Sequence, residues 1–374
     1  MIIQRILLRT YRIPYQATFT TAHGSEQWRE GVLLEIDMGD GLTGLGEAAP
    51  VAAFGGGSAA QALAVARAIA ARALGQPLAL ADRLLAALDY SRPGVSAAAC
   101  AFDTAIHDIR ARQAKLPLAH LLTPEAPASV TVNATIGGLP SEAACESARQ
   151  AVGLGFGTIK LKVGVAASPQ GEIERIKAVR AAIGPDVKLR LDANGAWDAP
   201  TAIAILHTFA PYNIELLEQP VPADDLWGMA QVRAASVVPI AADEALTGPE
   251  QARQIIQRQA ADILVVKPMC AGGIGRAREI AQIGLEAGLG VFVTSTIESG
   301  VGVAAALHVA AALPTHALAC GLATGALLAG NLLRHALPVR MGRMALPAEH
   351  GLGVALDDVQ LGRWASPWQE AERI

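Results

Sequence analysis

The sequence predicts an α/β fold, a (β/α)8-type barrel behind an N-terminal α+β capping domain. Three observations carry this: short apolar strands alternate with helix-length segments from Val130 onward, a polar residue ends nearly every strand, and those residues are regularly spaced. Lys162, Asp192, Glu218, Asp243, Lys267 and Ser295 succeed one another at intervals of 30, 26, 25, 24 and 28 residues. A strand, a crossover helix and two short loops need that length. An open sheet would concentrate polar residues at one switch point, whereas a closed barrel gathers the C-terminal ends of all its strands around one centre.

Taken in order, Ile2 to Ile13 and Gly31 to Met38 read as strands, Asp40-Gly41 as a hairpin turn, and Leu42 to Glu47 as the next strand. Ser58-Ala-Ala-Gln61 is a capping box, in which serine and glutamine satisfy each other's backbone N–H groups. An Ala-rich amphipathic run then reaches Leu74, and Ser96 to Ala114 repeats the pattern. Leu122 to Ser129 (LTPEAPAS) has the composition of a boundary, which places the cap at 1–125 and the barrel at 126–335. The barrel strands are VTVNATI, TIKLKVG, VKLRLDAN, IELLEQP, PIAADEAL, DILVVKP, GVFVTSTIES and ALACGLA, giving eight βα units.

The 374 residues carry 30 Lys and Arg against 34 Asp and Glu, with no basic run, so neither nucleic acid nor an acidic membrane surface finds a docking site. Ser299 to Leu333 lacks Asp, Glu, Lys and Arg and is long enough to span a bilayer. It contains Pro314, His308 and His316 and is built largely on Gly and Ala, so it reads as a buried helix over Val301 to Ala312, a buried strand and a further helix. No apolar run of signal-peptide length opens the chain, and a cytoplasmic protein is expected. Cys100, Cys145, Cys270 and Cys320 have no CxxC spacing and are expected as buried small hydrophobes.

Lys160 and Lys162 in TIKLK share one strand face, the barrel interior, where two ammonium groups need balancing anions. Each is expected to lower the other's proton affinity, as a lysine base near neutral pH requires. Asp192, Glu218 and Asp243 end three successive strands. Singly each is a turn former or helix cap; together they converge, and three carboxylates repel unless a hard divalent cation takes them as ligands. Mg²⁺ (or Mn²⁺) is the expected cofactor, with Asn194 and Glu244 behind its ligands. Lys267 ends the sixth strand, opposite the second. A Schiff-base aldolase barrel also uses such a lysine, but has no use for a metal cage. Ala271 to Gly275 (AGGIG) reads as a tight turn more readily than as a phosphate cradle.

Jointly these residues resemble the enolase superfamily, and within it the muconate-lactonizing subgroup. The matching features are the KxK of Lys160 and Lys162, the carboxylates of LDAN, LEQP and ADEA, and the lysine of VVKP. GLTGLGEAAP resembles that family's N-terminal hairpin, AAACAFDTAIHDIRARQAKLPLAHLL its last capping-domain helix, and HGLGVALDD the tail that returns to the cap, here within 336–374. The resemblance implies an enolase-like modified TIM barrel and abstraction of a proton alpha to a carboxylate, with the metal holding the resulting enediolate. A lysine base with Mg²⁺ is that superfamily's known pattern. Lys162 is then the base and returning acid. Lys160 binds the carboxylate and depresses the proton affinity of Lys162. Lys267 is a second acid/base in a racemase or an electrostatic stabiliser in a dehydratase.

Substrate choice falls to strands seven and eight and to the segments His23 to Arg29 and Val51 to Ser58, which are expected to close over the substrate. Dipeptide epimerases of the superfamily hold the substrate ammonium with an Asp-x-Asp ending strand eight. Here that stretch is Cys320-Gly321-Leu322-Ala323, and no acidic residue occurs between Glu298 and Glu349. STIESGVG, VNATIG and GEAAPVAAFGGGS resemble o-succinylbenzoate synthases, which dehydrate a succinyl-bearing cyclohexadiene carboxylate on the way to menaquinone. Ser295 and Glu298 are the expected substrate contacts. N-Succinylamino acid racemase and muconate cycloisomerase stay open. So does dipeptide epimerase, with Glu26 or Glu30 supplying the ammonium site, and, in a different class, a non-catalytic metal-binding barrel. The expected partner is a small-molecule carboxylate, with homo-oligomer formation left open.

Overall fold

A computed structural model describes residues 2–22 and 24–372. Arg5–Thr21 (β1), Gly24–Asp37 (β2) and Thr43–Ala48 (β3) build an antiparallel cap sheet, with burial alternating along part of β1 and nearly continuous along β3. β1 and β2 run further than the sequence suggests: their pairing breaks between Pro14 and Phe19, then resumes at Phe19–Glu26. The break begins directly after Pro14, which has no N–H to give the ladder. His23, in a segment expected to close over the substrate, lies outside the described residues. The β2–β3 turn passes through Gly39, Asp40 and Gly41 at φ 80°, 54° and 76°, all left-handed.

Ala59–Ala73 (α1) begins with both bonds of the Ser58/Gln61 capping box in place. Leu78–Ala86 (α2), Val95–Ala114 (α3) and Leu118–Leu122 (α4) complete the cap helices. α3 lies so close on β3 that a Cβ on Gly46 would sit 1.9 Å from the Ala101 carbonyl oxygen.

Ser129–Thr131 (β4) precedes the first barrel strand, Ala134–Ile136 (β5). Helix and strand then alternate through Ser141–Gly153 (α5), Thr158–Lys162 (β6), Pro169–Ile183 (α6), Lys188–Asp192 (β7), Ala199–Phe209 (α7), Ile214–Glu218 (β8) and Leu226–Ala235 (α8). Ile240–Ala242 (β9), Pro249–Gln257 (α9), Ile263–Val266 (β10), Pro268–Ala271 (α10), Ile274–Glu286 (α11), Gly290–Val293 (β11) and Gly300–Ala311 (α12) complete the series. β5 to β11 pair in parallel in chain order. Cys320 and Gly321 join the two sheet edges through parallel bridges to Val132 and Thr294. The Asn133 N–H donates to the Cys320 carbonyl and the Ser295 N–H to the Gly321 carbonyl, each at 3.0 Å.

Seven βα units and a short closing strand therefore replace the eight units expected. The helix expected after that strand is a single 3-10 turn, Gly325–Leu327, because Gly325, Gly330 and Pro338 interrupt the run that would have formed it. Val339–Arg340 (β12) and Arg343–Ala345 (β13) return to β4, Asp358–Trp364 (α13) follows, and Gln369–Glu370 (β14) pairs with β1 at the edge of the cap sheet. All four cysteines are buried and free. Among the described residues no helix is long and apolar enough to cross a membrane.

α12 is buried along its length, including His308. Its Nδ1 accepts the Ala119 N–H at 3.0 Å, and its Nε2–H therefore donates to the Leu352 carbonyl at 3.1 Å. The neutral ring thus ties the barrel to α4 and to the C-terminal segment. Burial pushes its pKa down to about 4, against the bond to Leu352. Below the ordinary value near 6.5 the unfolded chain takes up a proton that the folded chain refuses, so stability falls as pH drops from about 6.5 towards 4. The His308 share of that loss is about 3 kcal/mol at about 1.4 kcal/mol per pH unit. His308→Gln keeps an acceptor and a donor and should lose less stability between pH 7 and 4.5 in urea unfolding. An equal loss in both proteins would remove His308 as the cause.

Candidate active site

Strand register puts the charged groups in one place. Lys162 pairs with Asp192, and Asp192 with Glu218, across β6, β7 and β8. The three side chains thus stand level on strands about 4.8 Å apart. Glu218 pairs with Ala241, and Asp243, two residues on, projects to the same face. One ligand oxygen from each of Asp192, Glu218 and Asp243 lies within 4.8 Å of the others. Lys160 Nζ is 2.7 Å from both Asp192 Oδ2 and Glu218 Oε1, Lys162 Nζ is 2.5 Å from Asp192 Oδ2, and Lys267 Nζ is 2.5 Å from Asp243 Oδ1. Three buried ammonium groups meet three buried carboxylates.

Burial, then the Asp192 charge, pushes the Glu218 carboxyl up to about 8. Burial also raises Asp243, against the pull of Lys267. At Asp192 burial is outweighed by Lys160 and Lys162, which hold that carboxyl well below its usual range. For Lys160 the expected direction is reversed: burial alone would lower its pKa, but Asp192 and Glu218 prevail and raise it, because its nearest neighbours are carboxylates. Glu218 Oε2 is buried without a hydrogen-bond partner. A donor-starved oxygen in a cluster of three converging carboxylates fits a hard divalent cation, so the triad is poised for metal binding.

Behind the triad, Asn194 sits in the left-handed region at φ 44°. Its Nδ2 donates to Glu244 Oε1 at 2.7 Å and its N–H to Asp192 Oδ1 at 3.0 Å. Gln219, which the sequence did not single out, is fully buried. Its Oε1 accepts the N–H groups of Asp243 (3.0 Å) and Ala245 (3.2 Å), bracing one ligand strand against the next. The available signal was a second polar residue directly after Glu218 in an apolar strand.

Above the triad lies a cavity of about 340 Å³. Lys160, Lys162, Lys267, Asn194, Asp243 and Glu244 form its floor, and Thr135, Thr294, Ser295, Thr296 and Thr324 are on its barrel wall. The cap adds Tyr15, Phe19, Glu26 and Arg29, together with Val51 to Phe54. The Phe54 ring centroid is 4.1 Å from Lys267 Nζ, a cation–π contact. The Ser295 and Thr324 hydroxyls are 2.7 Å apart.

Glu298 does not line this cavity; it is buried behind the wall, where its Oε2 accepts the Thr296 N–H at 2.7 Å. Of the two capping acids, Glu30 faces Arg12 at 3.1 Å and is largely exposed, whereas Glu26 lines the cavity and accepts the Tyr15 hydroxyl at 3.2 Å. Arg29 ends one of the segments expected to close over the substrate, but nothing in the sequence assigned it a role of its own. It is buried, and its five N–H donors reach the carbonyls of Glu30, Ala49, Pro50 and Ile297 and the Thr296 hydroxyl, tying the cap to the strand-seven wall.

Residues 143–360 match the family described as enolase C-terminal domain-like, and residues 4–123 match the mandelate racemase / muconate lactonizing enzyme N-terminal domain. The chain belongs to the enolase superfamily. This enolase-superfamily enzyme is 32% identical over 313 residues to a hydrophobic dipeptide epimerase of Enterococcus faecalis, covering 83% of this chain and 88% of that one. It is 35% identical over 257 residues to an o-succinylbenzoate synthase of Thermobifida fusca, covering 66% and 78%. Its fold matches the crystal structure of the dipeptide epimerase from Enterococcus faecalis V583 complexed with Mg and the dipeptide L-Leu-L-Tyr. The TM-score is 0.89 at 29% identity, over 95% of this chain and all of that one. These relatives make it an isomerase or lyase of the superfamily.

Proposed function

We propose that this enzyme abstracts a proton alpha to a carboxylate and dehydrates a succinyl-bearing cyclohexadiene carboxylate to o-succinylbenzoate, a cytoplasmic step towards menaquinone. The observation that carries the substrate is the wall built by the ends of β11 and the closing strand. Thr294, Ser295, Gly321 and Thr324 offer hydroxyls and backbone there, and no carboxylate. A substrate ammonium buried against that wall would be desolvated without a partner, at a cost of several kcal/mol.

Lys162 lines the cavity at the outer end of β6 and takes the alpha proton; the same nitrogen returns it to the departing hydroxyl on that face. A C–H and a C–O bond break, a C=C bond forms and water leaves. Lys160 holds positive charge beside the reacting carboxylate. Lys267, across the ring and paired with Asp243, stabilises the negative charge that develops. Held by Asp192, Glu218 and Asp243, a Mg²⁺ or Mn²⁺ ion supplies Lewis-acid stabilisation of that charge. Asn194 orients the Asp192 carboxylate and is itself held by Glu244. The cap, residues 1–125 with 336–374 returning to it, excludes water.

A second reading rests on Glu26, the carboxylate that the cap places on the cavity wall. It would receive an ammonium, and Lys162 and Lys267 would then exchange the alpha proton on opposite faces of a dipeptide. The comparison that separates the readings is kcat/KM on one preparation for the cyclohexadiene substrate, an N-succinylamino acid and a panel of dipeptides. The expected order is dehydration first and dipeptides last. A dipeptide value above both others would overturn the proposal, and Glu26→Gln should then remove that activity selectively.

A further inference from the structure

The cap sends two carboxylates onto barrel helices. Glu47 of β3 accepts the Ser299 hydroxyl (2.6 Å) and the N–H groups of Ser299 (2.8 Å) and Gly302 (2.7 Å) at the start of α12. Asp103 of α3 accepts the N–H groups of Ile274 (2.5 Å) and Gly275 (3.3 Å) in the first turn of α11. The first N–H groups of a helix have no partner within it, and a local Ser, Thr, Asp or Asn ordinarily satisfies one of them. α11 has no such residue: its N-cap is Gly273, without a side-chain cap. Gly273 stands at φ 128°, and a Cβ there would lie 2.4 Å from Asp103 Oδ2. The AGGIG turn thus receives an anion after all, and the anion is a side chain of the cap.

What lies at the other end of that turn is Lys267. The N–H groups of Cys270 and Ala271 donate to the Lys267 carbonyl at 3.1 and 2.9 Å, and those of Gly272 and Gly273 to the Pro268 carbonyl at 3.1 and 2.9 Å. Arg276 Nε closes back on the Ala271 carbonyl at 2.6 Å, and its guanidinium carbon lies 3.8 Å from the Tyr90 ring centroid of the cap. From Lys267 to Arg276 the chain is one hydrogen-bonded unit whose far end the cap holds. Lys162 is fixed differently: Arg175 of the barrel helix α6 donates to its carbonyl at 2.7 Å.

We propose that Asp103 is a positioning residue for Lys267, so that the cap sets where this cavity lysine stands and leaves Lys162 to the barrel. This rests on Lys267 exchanging the alpha proton on the face opposite Lys162, the role it has in the second reading above. The test compares Asp103→Ala, which removes the acceptor, with Asp103→Asn, which keeps one oxygen to accept from the α11 N–H groups. In crystals grown with Mg²⁺, Asp103→Ala should shift residues 268–275 and Lys267 Nζ by about 1 Å, the scale at which misplacement costs on the order of 100-fold in rate. Asp103→Asn should hold them in place.

With the two enantiomers of an N-succinylamino acid in D2O, Asp103→Ala should lose on the order of 10-fold or more in alpha-proton exchange on the Lys267 face. Exchange on the Lys162 face should stay within about two-fold, with KM unchanged. An unmoved Lys267, or equal loss on both faces, overturns the proposal. Should Asp103→Ala not fold, Gly273→Ala presses on Asp103 from the other side and is expected to displace the same turn. A wild-type enzyme that exchanges no carboxylate in the panel would overturn the functional reading instead, while the crystallographic comparison still decides the clamp.

Discussion

Lys162→Ala lowers alpha-proton exchange in D2O on the order of 10²- to 10⁴-fold, the range a positioned general base contributes. The lysine is the outer member of the interior pair on β6, and its side chain reaches the cavity at the level of Asp192. The fold should survive, because Asp192 keeps the Lys160 ammonium at 2.7 Å and is not left as an uncompensated buried charge. Circular dichroism and the thermal midpoint check that the loss is chemical. If the variant keeps near-normal exchange, Lys162 loses the assignment and Lys267, the cavity lysine across the ring, takes it.

Exhaustive chelation should abolish turnover, and Mg²⁺ or Mn²⁺ should restore it. Asp192→Asn or Asp243→Asn should lower cation affinity and rate together, since each removes one anionic ligand from a set of three. The affinity has a definite pH dependence. With the Glu218 carboxyl pushed up to about 8, a proton must leave it before its oxygens can ligate, so affinity falls as pH drops below that value. A cation at about 100 times its Kd should also stabilise the fold by about 2.7 kcal/mol, read as a rise in thermal midpoint. Full turnover after chelation would remove the metal from the mechanism.

The sequence by itself determined the barrel and the charged residues at its centre. A strand's period of two put Lys160 and Lys162 on one face, and the near-constant interval from Lys162 to Ser295 gave the unit length. Both are local properties of the chain, and the level strand ends seen in the Lys162–Asp192–Glu218 register follow from equal units laid side by side. Tertiary structure alone decided what those units could not encode. The eighth unit shrank to two bridging residues, Glu298 turned behind the wall while Glu26 faced the cavity, and Lys160 gained proton affinity from carboxylates on neighbouring strands. Arg29 reaches Ile297 across 268 positions, and Asp103 reaches Ile274 across 171. Contacts of that range depend on how cap and barrel dock, and a side chain's direction at the end of a strand depends on the turn that follows it, so neither leaves a period in the sequence to be read.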